Sequence, residues 1–307
     1  MSAEALEVAA VNRGLLPPLD WAREGADWPH AQHSRFVSAA GLRWHVQQFG
    51  SGPGLLLLHG TGASTHSWRQ LAPLLAGDFT VTSFDLPGHG FTGGTPRAGM
   101  SLAAMSEAVA ALIGALALRP LLAVGHSAGA AIACRMSLDG RIAPSALVSL
   151  NGALLAMPLF QRLLFTPCAR LLALSPLSAQ LFARRAQDPK AVERLLASTG
   201  SILQREDVEL YRRLTRSPGH VDGALRMMAQ WGVEALERDL PRLAPPLKLI
   251  VGSNDRMVPP GDARRIQVLL PGSELIRLPR LGHLAHEERP DLVAAALRGV
   301  AQAITAT

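Results

Sequence analysis

The stretch Leu121-Leu122-Ala123-Val124-Gly125-His126-Ser127-Ala128-Gly129-Ala130 constrains this chain more than any other. A short apolar run of strand length meets Gly-x-Ser-x-Gly, and a run of small residues with helical character follows. A strand that turns this sharply into a helix puts the turn residue in strained backbone geometry. Gly125 and Gly129 have no side chains, so strand and helix can approach closely. The Ser127 hydroxyl is then lifted out at the carboxyl end of a sheet, where it can serve as a nucleophile. The pentapeptide alone is a weak signal; the strand before it and the helix after it give it weight.

The rest of the chain follows the same rhythm. Residues 1–34, with Pro17-Pro18, Asp20-Trp21 and Asp27-Trp28-Pro29, read as an N-terminal arm that Trp21 and Trp28 hold against the domain. Arg35 to Phe49 reads as two strands around Ala40-Gly41. Leu55 to Leu58 is continuously apolar, as in a strand covered on both faces. A helix is expected from about Ser67 to Ala76, a strand from Phe79 to Asp85, and a helix over 101–118 with Ser101 as N-cap. The strand before Ser127, its helix to about Leu138, and a strand from Ala146 to Leu150 continue the alternation. Such alternation predicts a mostly parallel, doubly wound α/β sheet.

The alternation breaks after Asn151. Residues 153–240 show amphipathic helical patterns punctuated by Pro158, Pro167, Pro176, Pro189 and Pro218, and no strand pattern. Strand character returns at Leu247 to Val251 and at Glu274 to Leu278, with helices from about Asp262 and near 290–304. The organisation is therefore an arm (1–34), a core (35–152 and 241–307) and a helical lid or cap (153–240). The lid enters after the sixth strand, on the sheet edge where open α/β sheets bind ligands. Its first part is crowded with leucine and phenylalanine, interrupted by Arg162 and Arg170. Those residues can seat the lid on the core, wall an apolar pocket, or touch a membrane surface. Met157, Phe160 and Leu164, with Met227 and Met228, are the candidate substrate-binding residues.

A serine hydroxyl needs a base, and the base needs an orienting acid. Asp255 directly follows the strand at 247–251 and is the candidate acid. Asn151, at the end of the preceding strand, cannot carry the required charge. His283 in Leu281-Gly282-His283-Leu284-Ala285-His286 is the candidate base. His286 is read instead as a surface or capping residue, and His59, His89 and His126 as structural residues of tight loops. The oxyanion formed on attack needs two N–H donors. Ala128 at the helix start and Thr61 in His59-Gly60-Thr61-Gly62 are the candidates.

The totals limit other functions. The chain carries 30 Lys+Arg against 24 Asp+Glu, a net charge of +6, with the excess in the second half and no basic run. Nucleic-acid binding is therefore not expected; an acidic partner or anionic lipid surface stays open. Cys134 and Cys168 lie in apolar contexts and read as buried thiols of a reducing compartment. The first residues lack a basic n-region, and no apolar run reaches spanning length, so a cytoplasmic protein with at most peripheral membrane contact is expected. No metal site or cofactor is indicated.

The set His59-Gly60, Asp85-Leu86-Pro87-Gly88-His89-Gly90, Gly125-His126-Ser127-Ala128-Gly129, Asp255 and Gly282-His283 resembles the α/β-hydrolase superfamily across about 35–305. The resemblance implies that fold and a Ser127–Asp255–His283 triad. Ser127 departs from the aspartate nucleophile of dehalogenases and epoxide hydrolases. Asp27-Trp28-Pro29, Gly41 to Gln47, His59 to Trp68, Asn151-Gly152-Ala153, Thr199-Gly200-Ser201 and Gly282 to Glu288 resemble the BchO-type magnesium-chelatase accessory proteins of bacteriochlorophyll biosynthesis. That narrower resemblance implies a role near magnesium insertion, with a tetrapyrrole or a chelatase subunit as partner. It leaves two alternatives: a serine hydrolase with an apolar small-molecule substrate, or a non-catalytic accessory protein. His220 in the lid is the candidate axial ligand if a metalloporphyrin binds, with a plain surface histidine as the simpler expectation.

Overall fold

The structure, a computed structural model, describes residues 16–156, 176–185 and 187–306. Among the described residues eight strands form one sheet: β1 (Ser34–Ala39), β2 (Leu42–Gly50), β3 (Gly54–Leu58), β4 (Thr80–Phe84), β5 (Pro120–His126), β6 (Ala146–Leu150), β7 (Leu247–Gly252) and β8 (Glu274–Leu278). Their spatial order is β1-β2-β4-β3-β5-β6-β7-β8. β1 pairs with β2 and β2 with β4 antiparallel, and the other pairings are parallel. This is the mostly parallel, doubly wound sheet expected from the alternation of strands and helices.

The leucine run of β3 shows why the sheet needs cover on both faces. Leu56 and Leu58 point into one core with Leu42, Trp44, Phe84 and Ala123. Leu55 and Leu57 point into the other with Val81, Leu122 and Val124. Alternate residues of a strand face opposite sides, so a strand buried twice must be apolar throughout. Helices α3 (Leu102–Ala115), α4 (Ala128–Leu138) and α10 (Asp262–Leu269) cover the first face; α2 (Leu71–Leu75), the short α11 (Ala285–Glu288) and α12 (Pro290–Thr305) cover the second. Ser101 caps α3, accepting from the Ala104 N–H.

The helix expected over 67–76 is split into a 3-10 turn at Thr65–Trp68 and the short α2. Side chains cap the start of the 3-10 turn two residues before the expected helix. Asp85 Oδ1 accepts from Thr65 N–H at 2.7 Å, and Ser64 Oγ accepts from His66 N–H. The arm contains a short helix, α1 (Trp21–Glu24). Trp28 is buried and donates to Thr65 Oγ1, and the Trp21 ring packs against Phe36, His45 and Phe91.

Between β6 and β7 the described residues form α5 (Pro176–Arg185), α6 (Pro189–Ser198), α7 (Arg205–Arg216), α8 (Pro218–Gln230) and α9 (Glu234–Asp239). The prolines that punctuate the sequence pattern here open three of these helices. Proline suits the first turn because its missing N–H has no intrahelical partner there. The substrate candidates Met157, Phe160 and Leu164, and Cys168, lie outside the described residues. Cys134 is buried, and burial pushes its thiol up to about 12. No helix of the described residues is long and apolar enough to cross a membrane.

Candidate active site

Ser127 stands at the junction of β5 and α4 with φ 50° and ψ −118°. Such a backbone costs on the order of 1–3 kcal/mol and persists only where its surroundings hold it. Here they do. Ser127 N–H donates to the Leu150 carbonyl at 3.1 Å, and the Ser127 carbonyl accepts from Ala130 and Ala153. The helix runs so close beneath the sheet that a Cβ on Gly129 would sit 2.3 Å from the Leu58 carbonyl oxygen. The small residues around Ser127 are thus what this sharp turn requires.

The other loops at this sheet edge converge on the same point. A Cβ on Gly60 would lie 2.9 Å from the Ser127 Cβ, so the His59-Gly60-Thr61 loop runs against the serine. His59 holds that loop: its Nδ1–H donates to the Gly60 carbonyl at 2.8 Å, and its Nε2 accepts from Leu86 N–H at 2.9 Å. Thr61 donates its hydroxyl proton to Met227 Sδ on α8 at 3.5 Å. Ala128 opens α4, where backbone N–H groups lack intrahelical partners. The two oxyanion candidates therefore flank the Gly60–Ser127 contact.

Asp255 and His283 are brought together. His283 Nδ1–H donates to Asp255 Oδ2 at 2.9 Å, with both residues buried. Asp255 Oδ1 accepts from Met257 N–H at 2.8 Å and Val258 N–H at 2.9 Å. Oδ2 also accepts from Asn151 Nδ2 at 2.6 Å. Two backbone amides, one side-chain amide and one imidazole thus satisfy this carboxylate and fix its plane. His283 is fixed as well, since its carbonyl accepts from His126 Nε2–H at 2.9 Å. The bond to Asp255 leaves Nε2 as the free nitrogen of the imidazole.

Several residues differ from the sequence expectation. His286 is fully buried rather than on the surface. Its Nε2 is 2.8 Å from Ser67 Oγ, and its ring lies against Trp68 and His126. Burial, then the neighbouring His283, takes its pKa down to about 3. His220 is also buried rather than exposed. Its Nδ1 accepts from Gly90 N–H at 3.0 Å, and its Nε2–H donates to the Gly62 carbonyl at 3.1 Å. Both ring nitrogens are occupied, which does not suit an axial ligand. Burial lowers its pKa to about 4. Met227 is fully buried beside Thr61, whereas Met228, the next residue on α8, is 48% exposed. Successive helical residues differ by about 100° in direction, so the two cannot wall one pocket equally.

Sequence reasoning overlooked two features. Asn151, passed over as an acid, is a donor to the acid; its place on the same sheet edge as Asp255 was the available signal. The second is a buried carboxyl, Glu287, which accepts from Tyr211 of α7 at 2.7 Å and from Ser67. Burial pushes the Glu287 carboxyl up to about 8, so it stays protonated through neutral pH. Asp85 behaves oppositely. Burial opposes its ionisation, but the His45 imidazole and the Phe91 amide bonded to it hold it below the usual carboxylate range. Asp85 thereby ties the loop after β4 to Thr65 and His45.

Comparison with known proteins adds to this geometry. A family model described as the alpha/beta hydrolase family matches residues 55–296. The magnesium-chelatase 30 kDa subunit of Rhodobacter capsulatus is 38% identical over 268 residues, covering 87% of this chain and 93% of that protein. A pimeloyl-[acyl-carrier protein] methyl ester esterase of Vibrio vulnificus is 28% identical, covering 81% of this chain and 94% of that one. Among solved structures, an alpha/beta hydrolase fold protein from Burkholderia ambifaria has a TM-score of 0.73 at 27% identity, covering 92% of this chain and 98% of that chain. Sheet order, family match and relatives agree, and the chain belongs to the alpha/beta hydrolase family.

Proposed function

We propose that the protein is a serine hydrolase whose triad is Ser127, Asp255 and His283. The observation that carries this reading is the convergence at one sheet edge of a strained, loop-exposed Ser127 with a buried Asp255–His283 pair at 2.9 Å. In this reading Ser127 Oγ attacks the carbonyl carbon of an ester, thioester or amide while His283 Nε2 takes its proton. Asp255 holds the imidazole in the required tautomer and stabilises the cation that forms. The Ala128 and Thr61 amides stabilise the oxyanion. The tetrahedral adduct collapses to an acyl-serine, and His283 returns the proton to the leaving group. Water, deprotonated by His283, then releases the acid.

The substrate in this reading has an apolar part bound between sheet and lid, the lid being 153–240. Met227 beside Thr61 supports an apolar wall near the oxyanion donors. Met157, Phe160 and Leu164 complete the proposed pocket. The relation to the Rhodobacter capsulatus magnesium-chelatase subunit supports a physiological role beside magnesium insertion into a tetrapyrrole in bacteriochlorophyll biosynthesis. That same relation favours a second reading, in which the fold binds a tetrapyrrole or a chelatase subunit without turnover. The intact triad favours the first. A cytoplasmic protein meeting membrane surfaces only peripherally fits both, and flotation with anionic liposomes at low and high salt tests that part.

Labelling by a fluorophosphonate probe separates the two readings. Wild type is expected to label and Ser127→Ala to be silent, with nearly unchanged thermal stability. Labelling that persists in Ser127→Ala, or a wild type that never labels, removes the hydrolase reading.

A further inference from the structure

Between α6 and α7 the chain passes through Thr199-Gly200-Ser201, and these three residues lie on both the acid loop and the base loop. The Thr199 carbonyl accepts from two amides, Arg256 N–H at 3.2 Å and His283 N–H at 3.2 Å. The Gly200 carbonyl accepts from Asn254 Nδ2 at 2.6 Å. Ser201 Oγ accepts from Leu284 N–H at 2.8 Å. The partners are the two residues bracketing Asp255, then His283 itself and the residue after it.

The contact is close as well as polar. Gly200 has φ 83°, and a Cβ there would sit 2.1 Å from the Asn254 carbonyl oxygen. A Cβ on Gly282 would meet the Gly200 carbonyl carbon at 2.3 Å. The three backbones therefore pass one another with no side chain between them. The amides of His283 and Leu284 follow β8 and have no strand to pair with. Buried amides of this kind need partners, and the segment between α6 and α7 supplies them.

We propose that Thr199-Gly200-Ser201 is a strap that sets the position of His283 relative to Asp255, and that Ser201 is a positioning residue acting through the Leu284 amide. The inference rests on the triad reading given above, since the strap holds that reading's acid and base. Ser201 touches no reacting atom. Its hydroxyl fixes the backbone immediately after the base, and a displacement of about 1 Å in such a group costs about 10²-fold in rate. The strap also means that this end of the helical insertion cannot move without moving the base.

Two readouts test it. The first is the rate constant of fluorophosphonate labelling. The second is the downfield proton resonance of His283 Nδ1–H, identified by its loss in Asp255→Asn. The variants are Ser201→Ala and Asn254→Ala, the second because Asn254 is exposed and its side-chain amide donates to the Gly200 carbonyl. Both variants are expected to label about 10- to 100-fold more slowly and to shift or broaden the resonance, with Ser201→Thr restoring both. Unchanged rate and resonance in folded Ser201→Ala and Asn254→Ala overturn the strap while leaving the hydrolase reading intact. A wild type that never labels, but whose His283 resonance still depends on Ser201, overturns the hydrolase reading and leaves the strap standing. A wild type without an Asp255-dependent resonance overturns the strap, because there is then no held pair.

Discussion

Asn151 donates its side-chain amide to Asp255 Oδ2 at 2.6 Å, the same oxygen that accepts from His283 Nδ1. The amide holds the carboxylate from one side and the imidazole from the other. Asn151 itself has φ 47°, a conformation asparagine tolerates better than most residues.

This arrangement separates two effects of substitution at Asn151. Asn151→Gly keeps the backbone conformation and removes only the amide. A hydrogen bond to a charged group contributes about 1.5–3 kcal/mol, so ester turnover is expected to fall about 10- to 100-fold. Asn151→Ala removes the amide and adds backbone strain, so it should match that rate loss and also melt lower. Steady-state kinetics beside thermal melts check both. A Gly variant with wild-type turnover shows that the two backbone amides alone suffice to place Asp255.

Asp255 and His286 provide a contrast. Losing the orienting acid of a triad costs about 10⁴ in turnover, and Asp255→Asn is expected to show a loss of that order. His286 is bonded to Ser67 rather than to the acid. His286→Gln should therefore stay within a few-fold of wild type in turnover while lowering stability. The reverse outcome would transfer the base to His286.

These residues also show what the sequence could disclose. Ala146–Leu150 and Glu274–Leu278 were legible to the residue, the first as a short, mostly apolar run and the second as a short run around Leu275-Ile276, each bounded by turn signals. The strand-to-helix turn at Ser127 was legible because local spacing carries it, and the meeting of Asp255 with His283 was legible because each follows a strand of the same sheet edge. The burial of His286 and His220 was not, because their partners are distant: Ser67 lies 219 positions from His286, and Gly90 lies 130 from His220. A histidine looks the same in sequence whether it is solvated or enclosed. Asn151 was read by the charge it lacks, and its amide mattered instead.

Gly129 tests the packing under the nucleophile. An alanine there places a methyl 2.3 Å from the Leu58 carbonyl oxygen, a rigid backbone atom of β3. Overpacking of this kind costs about 1–3 kcal/mol and occasionally more. Gly129→Ala is expected to lower the melting temperature by several degrees and to slow probe labelling, because α4 must shift and carries Ala128 with it. Differential scanning calorimetry with labelling checks this. A variant that melts and labels like wild type shows that the helix can retreat without disturbing the turn.

Glu287 makes the stability of the fold depend on pH. Its folded pKa is raised from 4.5 to about 8, chiefly by burial. The unfolded chain therefore releases this proton first, and between those values the folded state holds the extra proton. The Glu287 contribution to stability is full below about pH 4.5, declines as pH rises at about 1.4 kcal/mol per unit, and levels off above about pH 8. The buried histidines act in the opposite sense. His286 and His220 have pKa values lowered to about 3 and about 4, so their contribution is lost as pH falls below the ordinary histidine value of about 6.5. The buried histidines titrate alike in wild type and in Glu287→Gln, so the difference between the two proteins from about pH 6.5 to pH 8 isolates the Glu287 effect. Glu287→Gln keeps an acceptor for Tyr211 and Ser67 and carries no proton to release. Relative to this variant, wild type is expected to lose stability steadily across that window. Chemical denaturation at closely spaced pH values measures both curves. Parallel curves for the two proteins between pH 6.5 and pH 8 would show that the Glu287 carboxyl is already ionised in the fold.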